Sequence, residues 1–89
     1  MNAKKLERDA CVAVLAMYRS SSVEGITQLT RADIADRVGY KDIGKLRDSV
    51  LKLMIDKAWI VPISDGFELT PPGRIKAEEI IAGMRQGAP

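Results

Sequence analysis

Residues 39–46, GYKDIGKL, contain the spacing G-x-x-x-x-G-K. In nucleotide hydrolases this spacing forms a loop whose backbone N–H groups and lysine hold phosphate oxygens, and the residue after the lysine, Ser or Thr, binds Mg²⁺. In this chain the residue after the lysine is Leu46, which has no hydroxyl group. The metal ligand of such a loop is therefore missing.

The neighbouring pattern also disfavours a phosphate loop. Such a loop follows a strand and opens a helix, whereas the segment before Gly39 has helical spacing. Leu46 also belongs to the apolar seam of the next helix, so we expect its side chain to point into the core. We interpret Gly39 as the end of one helix, residues 40–42 as a tight connection and Ile43 as the start of another helix.

Other catalytic chemistry has few candidate residues. The chain has 89 residues, no histidine and a single cysteine, Cys11. Zinc sites, histidine-based acid–base catalysis and an internal disulfide are therefore excluded. We predict that Cys11 is an inert buried thiol, that no cofactor is bound and that the protein is not an enzyme.

The composition is typical of a soluble globular protein. Hydrophobic residues make up 46% and charged residues 29% of the chain, and its length suits one domain over residues 1–89. The longest apolar run, residues 11–18, is too short to cross a bilayer. We expect a cytoplasmic protein with no membrane partner. Its net charge of +2 permits nucleic-acid binding without requiring it.

The first two elements are predicted to be helices. Residues 3–19 lack Gly and Pro and place apolar side chains at helical spacing, and residues 20–25 form a polar loop after them. Thr30 and Asp33 have the spacing of a capping box, which predicts a second helix of about two turns. We expect this helix to end at Gly39.

A third helix and a hairpin are predicted next. The helix runs from Ile43 to about Ala58, and its core seam is Leu46, Val50, Leu53 and Met54. Residues 59–63 and 67–69 have strand character, and the Asp-Gly pair between them predicts a tight turn. Because Pro62 cannot donate a backbone hydrogen bond, its strand should lie at the edge of the sheet.

The last element is predicted to be a helix over residues 71–85. Thr70 is its N-cap and Pro71 occupies its first position, where a missing N–H group costs nothing. Its buried stripe is predicted to be Ala77, Ile80, Ile81 and Met84. The order helix-helix-helix-hairpin-helix gives a fold class that is mainly α with a small β-hairpin.

Three segments carry a family resemblance: LTRADIADRVGY, LRDSVLKLMIDKAWIV and FELTPPGR. Their order and spacing resemble the core of MarR-type and related winged-helix transcription regulators over about residues 29–75. The resemblance implies a winged helix-turn-helix fold and sequence-specific binding of double-stranded DNA. The chain departs from the family pattern at Ala58, where a glycine is usual and where we expect a less strained helix exit. Its wing turn carries Asp65 and no basic residue.

The resemblance implies that the third helix, residues 43–58, enters the major groove. We expect Lys41 and Lys45 to contact phosphates, because they lie at or just before the start of that helix. We expect Arg47 to bind guanine through two hydrogen bonds, and we expect Ser49 to reach a phosphate or a base edge. The predicted DNA contacts are Arg31, Lys41, Lys45, Arg47, Ser49 and Lys52.

The terminal helices, residues 3–19 and 71–85, carry more apolar surface than one small domain is expected to cover. The simplest cover is a second copy, since a two-fold dimer would present two reading helices to DNA. We therefore expect a homodimer. Its predicted interface residues are Leu6, Ala10, Val14, Met17, Ile80, Ile81 and Met84.

A different class of function stays open. Residues 31–57 contain seven basic and five acidic side chains, and the wing turn is acidic. A winged-helix module that binds a protein partner, without direct DNA contact, would have the same pattern. Charge reversal at Lys45 and Lys52 separates the two hypotheses. It should abolish DNA binding if the protein binds DNA, and it should leave partner binding little changed if the protein binds a protein partner.

Overall fold

Helix α1 (Ala3–Arg19) is the central element of the molecule. In the computed structural model, which describes residues 3–39 and 48–87, α1 contacts α2 (Arg31–Val38), α3 (Asp48–Asp56) and α4 (Pro71–Gly87). Fully buried side chains line α1 where the other helices approach, and they are Ala10, Ala13, Val14 and Met17. The two alanines have small side chains, so the neighbouring helices pack closely against α1. Helices of the same chain therefore cover several faces of α1.

The segment after α1 differs from the prediction. Residues 20–25 were expected to form a polar loop, but Ser20–Glu24 form one turn of π-helix that continues α1. The turn ends at Gly25, whose φ of 73° lies in the left-handed region that favours glycine. The N–H groups of Gly25 and Ile26 both donate to the carbonyl oxygen of Ser20, which satisfies the last turn without a loop.

Helix α2 begins with the predicted capping box. The N–H of Asp33 donates to Oγ1 of Thr30 over 3.1 Å, and the N–H of Thr30 donates to Oδ2 of Asp33 over 3.1 Å. The hydrogen bond from the Thr30 N–H to the carboxylate is the main cause that lowers the pKa of Asp33. The helix ends as predicted at Gly39, which has a φ of 97°. The predicted connection at residues 40–42 and helix start at Ile43 lie outside the described residues.

The hairpin is confirmed and belongs to a three-stranded antiparallel sheet. Strands β2 (Ile60–Ile63) and β3 (Gly66–Leu69) form the hairpin, and β1 (Gln28–Leu29) pairs with β3, giving the order β1-β3-β2. Pro62 therefore lies on an edge strand, as predicted. Strand β1 was not predicted, because two residues carry no alternation signal. A Cβ atom at Gly66 would overlap the carbonyl group of Leu29, so this position requires glycine.

The exit from α3 is joined tightly to the start of α4. Ala58 has a φ of 60°, so the predicted less strained exit is wrong: this alanine adopts the left-handed conformation that usually belongs to glycine. The hydroxyl of Thr70 donates to the carbonyl of Ala58, and the Thr70 N–H donates to the carbonyl of Trp59 over 3.0 Å. Thr70 is also the predicted N-cap, since its Oγ1 accepts from the N–H of Gly73 over 3.0 Å.

The core lies between α1 and the remaining helices, with the sheet closing one side. Its buried members on the other elements include Leu29, Ile34, Ala35, Val50, Leu51, Met54 and Ile60. Ala77 of α4 is also fully buried. The fold class, mainly α with a small β-hairpin, is confirmed. The seam position Leu46 lies outside the described residues.

Candidate nucleic-acid interface

Three of the six predicted DNA contacts lie within the described residues. Arg31 is the first residue of α2, and Ser49 and Lys52 lie in the first half of α3. Lys52 is exposed, whereas Arg31 and Ser49 are partly buried. The other three predicted contacts, Lys41, Lys45 and Arg47, lie outside the described residues.

Arg31 is not a free cation. Its Nη1 lies 2.5 Å from Oδ1 of Asp48, an ion pair that joins the start of α2 to the start of the described part of α3. The carboxylate of Asp48 is 86% exposed, whereas the guanidinium side chain is 38% exposed. The pair therefore lies at the surface, where salt screens it and its contribution to stability is small.

Arg31 and Lys52 line one cleft between α3 and the hairpin, which we call the α3–hairpin cleft. Its volume is about 560 Å³, and its other charged lining residues are Asp48 and Asp65. Among the described residues, two basic and two acidic side chains therefore line it. Ser49 is not among the residues that line it.

The walls of the α3–hairpin cleft are mainly apolar, which the sequence did not lead us to expect at this surface. Leu51 and Ile55 form the α3 side, and Pro62, Ile63 and Phe67 form the hairpin side. Ile55 is 37% exposed, while Leu51 is nearly buried and lies at the base. The sequence did contain one signal for this apolar wall: Leu51 and Ile55 are four residues apart and lie outside the core seam.

The second arginine of α2 is used within the fold. Nε of Arg37 donates to Oγ of Ser20 over 2.6 Å, and its Nη2 lies 3.3 Å from Oε1 of Glu24. Ser20 is 1% exposed, so the arginine satisfies a buried hydroxyl on the π-helical turn. Arg37 therefore contributes to the positive charge of the sequence without being available to a phosphate.

The predicted dimer surface requires correction. Ala10, Val14 and Met17 are at most 2% exposed, because α2, α3 and α4 of the same chain cover that part of α1. They are core residues and present no surface to a second copy. The remaining predicted interface residues are accessible to different degrees: Leu6, Ile80 and Ile81 are partly buried, and Met84 is 55% exposed.

A groove between α1 and α4 is lined by one of these remaining residues, Ile81. Its volume is about 440 Å³, and it is lined by Tyr18, Glu78, Ile81 and Ala82. The hydroxyl of Tyr18 donates to Oε2 of Glu78 over 3.2 Å, and the Arg74 guanidinium carbon lies 5.5 Å from the centre of the Tyr18 ring. These contacts hold Tyr18 against α4.

No metal-binding cluster of His, Cys, Asp and Glu side chains occurs within residues 3–39 and 48–87. Cys11 is half-buried rather than fully buried, and burial is the main cause that raises the pKa of its thiol. None of the helices in the described part of the chain is long and apolar enough to cross a bilayer.

Comparison with known proteins adds no relative. No protein-family model, curated protein sequence or solved structure matches this chain.

Proposed function

We propose that this chain is a small winged-helix DNA-binding protein that acts in transcription regulation. In this proposal α3 enters the major groove of double-stranded DNA and the β2–β3 hairpin is the wing. The observation that carries the proposal is the position of Arg31 and Lys52. Both were selected from the sequence as DNA contacts, and they line one surface between α3 and the hairpin.

The element order supports this proposal. The described helices and strands follow one another as α1, β1, α2, α3, β2, β3 and α4, with α2 and α3 bridged by the Arg31–Asp48 ion pair. This arrangement is compatible with a helix-turn-helix followed by a wing. The cytoplasmic location expected from the sequence belongs to the same proposal.

The charged residues have distinct proposed roles. Lys52 contacts a phosphate, because its side chain is exposed on α3 and has no ion-pair partner among the described residues. Lys41, Lys45 and Arg47 add phosphate and base contacts at the start of the reading helix. Asp48 repels phosphate unless it accepts a hydrogen bond from a cytosine amino group, so it restricts the choice of sequence.

A homodimer is part of this proposal, with an interface reduced to the accessible residues. These are Leu6, Ile80, Ile81 and Met84, of which Ile81 lines the α1–α4 groove. A two-fold axis near this groove would place two copies of α3 on one DNA duplex. Light scattering at micromolar concentration measures the mass, and a monomeric mass would remove the dimer from the proposal.

A second candidate function is a winged-helix module that binds a protein and not DNA. The observation that favours it is the apolar wall of the α3–hairpin cleft, together with the equal numbers of basic and acidic side chains around it. DNA-binding surfaces are markedly more positive than this described surface. Direct measurement of binding to duplex DNA separates the two functions.

The test is fluorescence anisotropy with labelled random-sequence duplex DNA at about 50 and about 200 mM salt. We expect micromolar or tighter binding at the lower salt concentration that weakens steeply at the higher one, because bound counterions are released. Lys45→Glu combined with Lys52→Glu should abolish binding. The control, Lys4→Glu combined with Lys5→Glu on α1, changes the net charge equally and should retain most of it.

Two results would contradict DNA binding. One is the absence of binding at the lower salt concentration. The other is an equal loss in the Lys45/Lys52 and Lys4/Lys5 double variants, which would show that only the net charge matters. Either result would leave the protein-binding function as the better candidate.

A further inference from the structure

One face of α3 has the spacing of a helix-packing seam, and at its first position Asp48 pairs with Arg31 of α2. Asp48, Leu51, Lys52 and Ile55 line the α3–hairpin cleft and are spaced i, i+3, i+4 and i+7. This spacing aligns side chains along one face of a helix for about two turns, or about 10 Å. The cleft therefore has one wall with the length and periodicity that a short second helix would match.

The opposite wall is unsuited to a strand. It is formed by the hairpin, whose outer strand β2 has no second neighbouring strand among the described residues, because the sheet order is β1-β3-β2. Pro62 lies in the middle of β2 and has no N–H group to donate to an added strand. A helix satisfies its own backbone hydrogen bonds and needs only side-chain contacts from Ile63, Phe67 and Pro62.

The charges around the cleft also specify its occupant. Lys52 on the α3 side and Asp65 on the hairpin turn are both exposed, and neither has an ion-pair partner within the described residues. Asp48 is already paired with Arg31. An occupant is complementary if it places a carboxylate toward Lys52 and a basic group toward Asp65, with apolar side chains between them.

We propose that the α3–hairpin cleft binds a short amphipathic helix of another protein, with an acidic residue that faces Lys52 and a basic residue that faces Asp65. Its apolar side chains pack against Leu51, Ile55 and Phe67. Since α3 and the hairpin also form the proposed DNA surface, the bound helix excludes DNA. This exclusion rests on the proposed function, whereas helix binding itself is measured in the absence of DNA.

The experiment starts from a displayed library of alanine-rich helical peptides of about 14 residues, long enough to be partly helical alone. Four positions at i, i+3, i+4 and i+7 are randomised, and binders are selected on the immobilised full-length chain. We expect an enriched peptide with apolar residues flanked by one acidic and one basic residue, helical by circular dichroism when bound. Its affinity is then measured by fluorescence anisotropy of the labelled peptide.

Two surface variants locate the binding site. Ile55→Glu should weaken the selected peptide by about tenfold or more, since Ile55 is a central apolar contact. The matched control Ile75→Glu should change affinity by less than about twofold, because Ile75 is 57% exposed on α4 and does not line the cleft. Circular dichroism and thermal unfolding check that both variants fold.

Exchanging the charge of Lys52 with that of the acidic residue of the peptide tests the orientation of the bound peptide independently of Ile55→Glu. Lys52→Glu should weaken the selected peptide, and a peptide whose acidic residue is replaced by lysine should regain affinity for this variant. Three results would overturn the proposal: no helical peptide of micromolar affinity, equal weakening by Ile55→Glu and Ile75→Glu, or no rescue by the exchanged charge. Loss of self-association in Ile55→Glu would also overturn it, because the occupant would then be a second copy.

If the peptide binds as expected, its effect on DNA is measured by adding it to the protein–DNA complex. Displacement of the labelled duplex supports exclusion, and a stable ternary complex overturns that part. Peptide binding by a chain that fails to bind any duplex would contradict the proposed function while retaining the proposed helix site.

Discussion

The α1–α4 side of the molecule and the α3–hairpin cleft are both rich in apolar residues, but they are covered in different ways. On α1, the apolar side chains Ala10, Val14 and Met17 are buried by three other helices of the same chain. On α3, Ile55 stays 37% exposed because the hairpin stands away from the helix and leaves a cleft. An apolar pattern in a sequence therefore does not by itself decide whether a side chain is covered, or which element covers it.

The prediction with the largest expected change in stability concerns the buried side chains of α1. Met17→Ala should lower the free energy of unfolding by about 3 kcal/mol, because it leaves a cavity in a core with no accessible surface at that position. Met84→Ala is the matched control on α4, where the side chain is 55% exposed and should contribute less than about 1 kcal/mol. Urea unfolding at two protein concentrations measures both.

The dependence of stability on protein concentration separates a core role of Met17 from a role in a dimer interface. A core role for Met17 predicts the same loss at both protein concentrations. If Met17→Ala instead abolished self-association and left the stability of the monomer unchanged, the comparison between the two apolar surfaces would fail. Met84→Ala is the variant that we expect to weaken a dimer.

The next effect concerns the junction that sets the hairpin beside α3. A Cβ atom at Gly73 would overlap the carbonyl oxygen of Trp59, whereas one at Gly83, also in α4, would meet no atom within 4 Å. We expect Gly73→Ala to destabilise the protein by about 2 kcal/mol or more. Gly83→Ala should stabilise it by about 0.5–1 kcal/mol, because alanine loses less backbone entropy in a helix.

Thermal unfolding of the two alanine variants provides the measurement. Glycine-to-alanine substitution is then expected to lower the stability at Gly73 and to raise it at Gly83, although both positions lie in α4. This difference isolates the close approach of α4 to Trp59. Equal stabilisation by both variants would mean that the junction can move apart. In that case the width of the α3–hairpin cleft would not be fixed by this contact.

The predictable parts of the fold are those encoded by local signals. The capping box of Thr30 and Asp33, the end of α2 at Gly39 and the N-cap Thr70 each depend on residues within one turn of helix, and all are confirmed. The hairpin was also predictable, although its two turn residues are Ser64 and Asp65 and not the predicted Asp-Gly pair, because Gly66 already belongs to β3. These signals require no knowledge of the rest of the chain.

The parts that were missed depend on contacts between distant residues. Strand β1 exists because Gln28 and Leu29 pair with β3, about forty residues away in sequence. The left-handed Ala58 is held by two hydrogen bonds: its N–H donates to the carbonyl of Ile55, and its carbonyl accepts from the Thr70 hydroxyl. The α3–hairpin cleft combines α2, α3 and the hairpin, so its apolar wall had no continuous signal in the sequence.

The smallest expected effect lies at the start of α2, beside Arg31 and the cleft. The pKa of Asp33 is lowered because its carboxylate accepts the Thr30 N–H, so folding favours the ionised form. Its contribution is fully present above the unfolded pKa of about 3.9, and it is lost as pH falls through the lower pKa of the folded state. Asp33→Asn removes the titration and should flatten this part of the pH profile.

Urea unfolding of wild type and Asp33→Asn at neutral pH and at several values below about pH 5 measures this difference. We expect wild type to be the more stable at neutral pH and the gap to narrow as the pH falls, since a protonated Asp33 resembles the uncharged variant. A gap that stays constant with pH would mean that the carboxylate charge does not stabilise the cap. The position of Arg31 at the cleft would then depend on its pairing with Asp48 and not on the capping box.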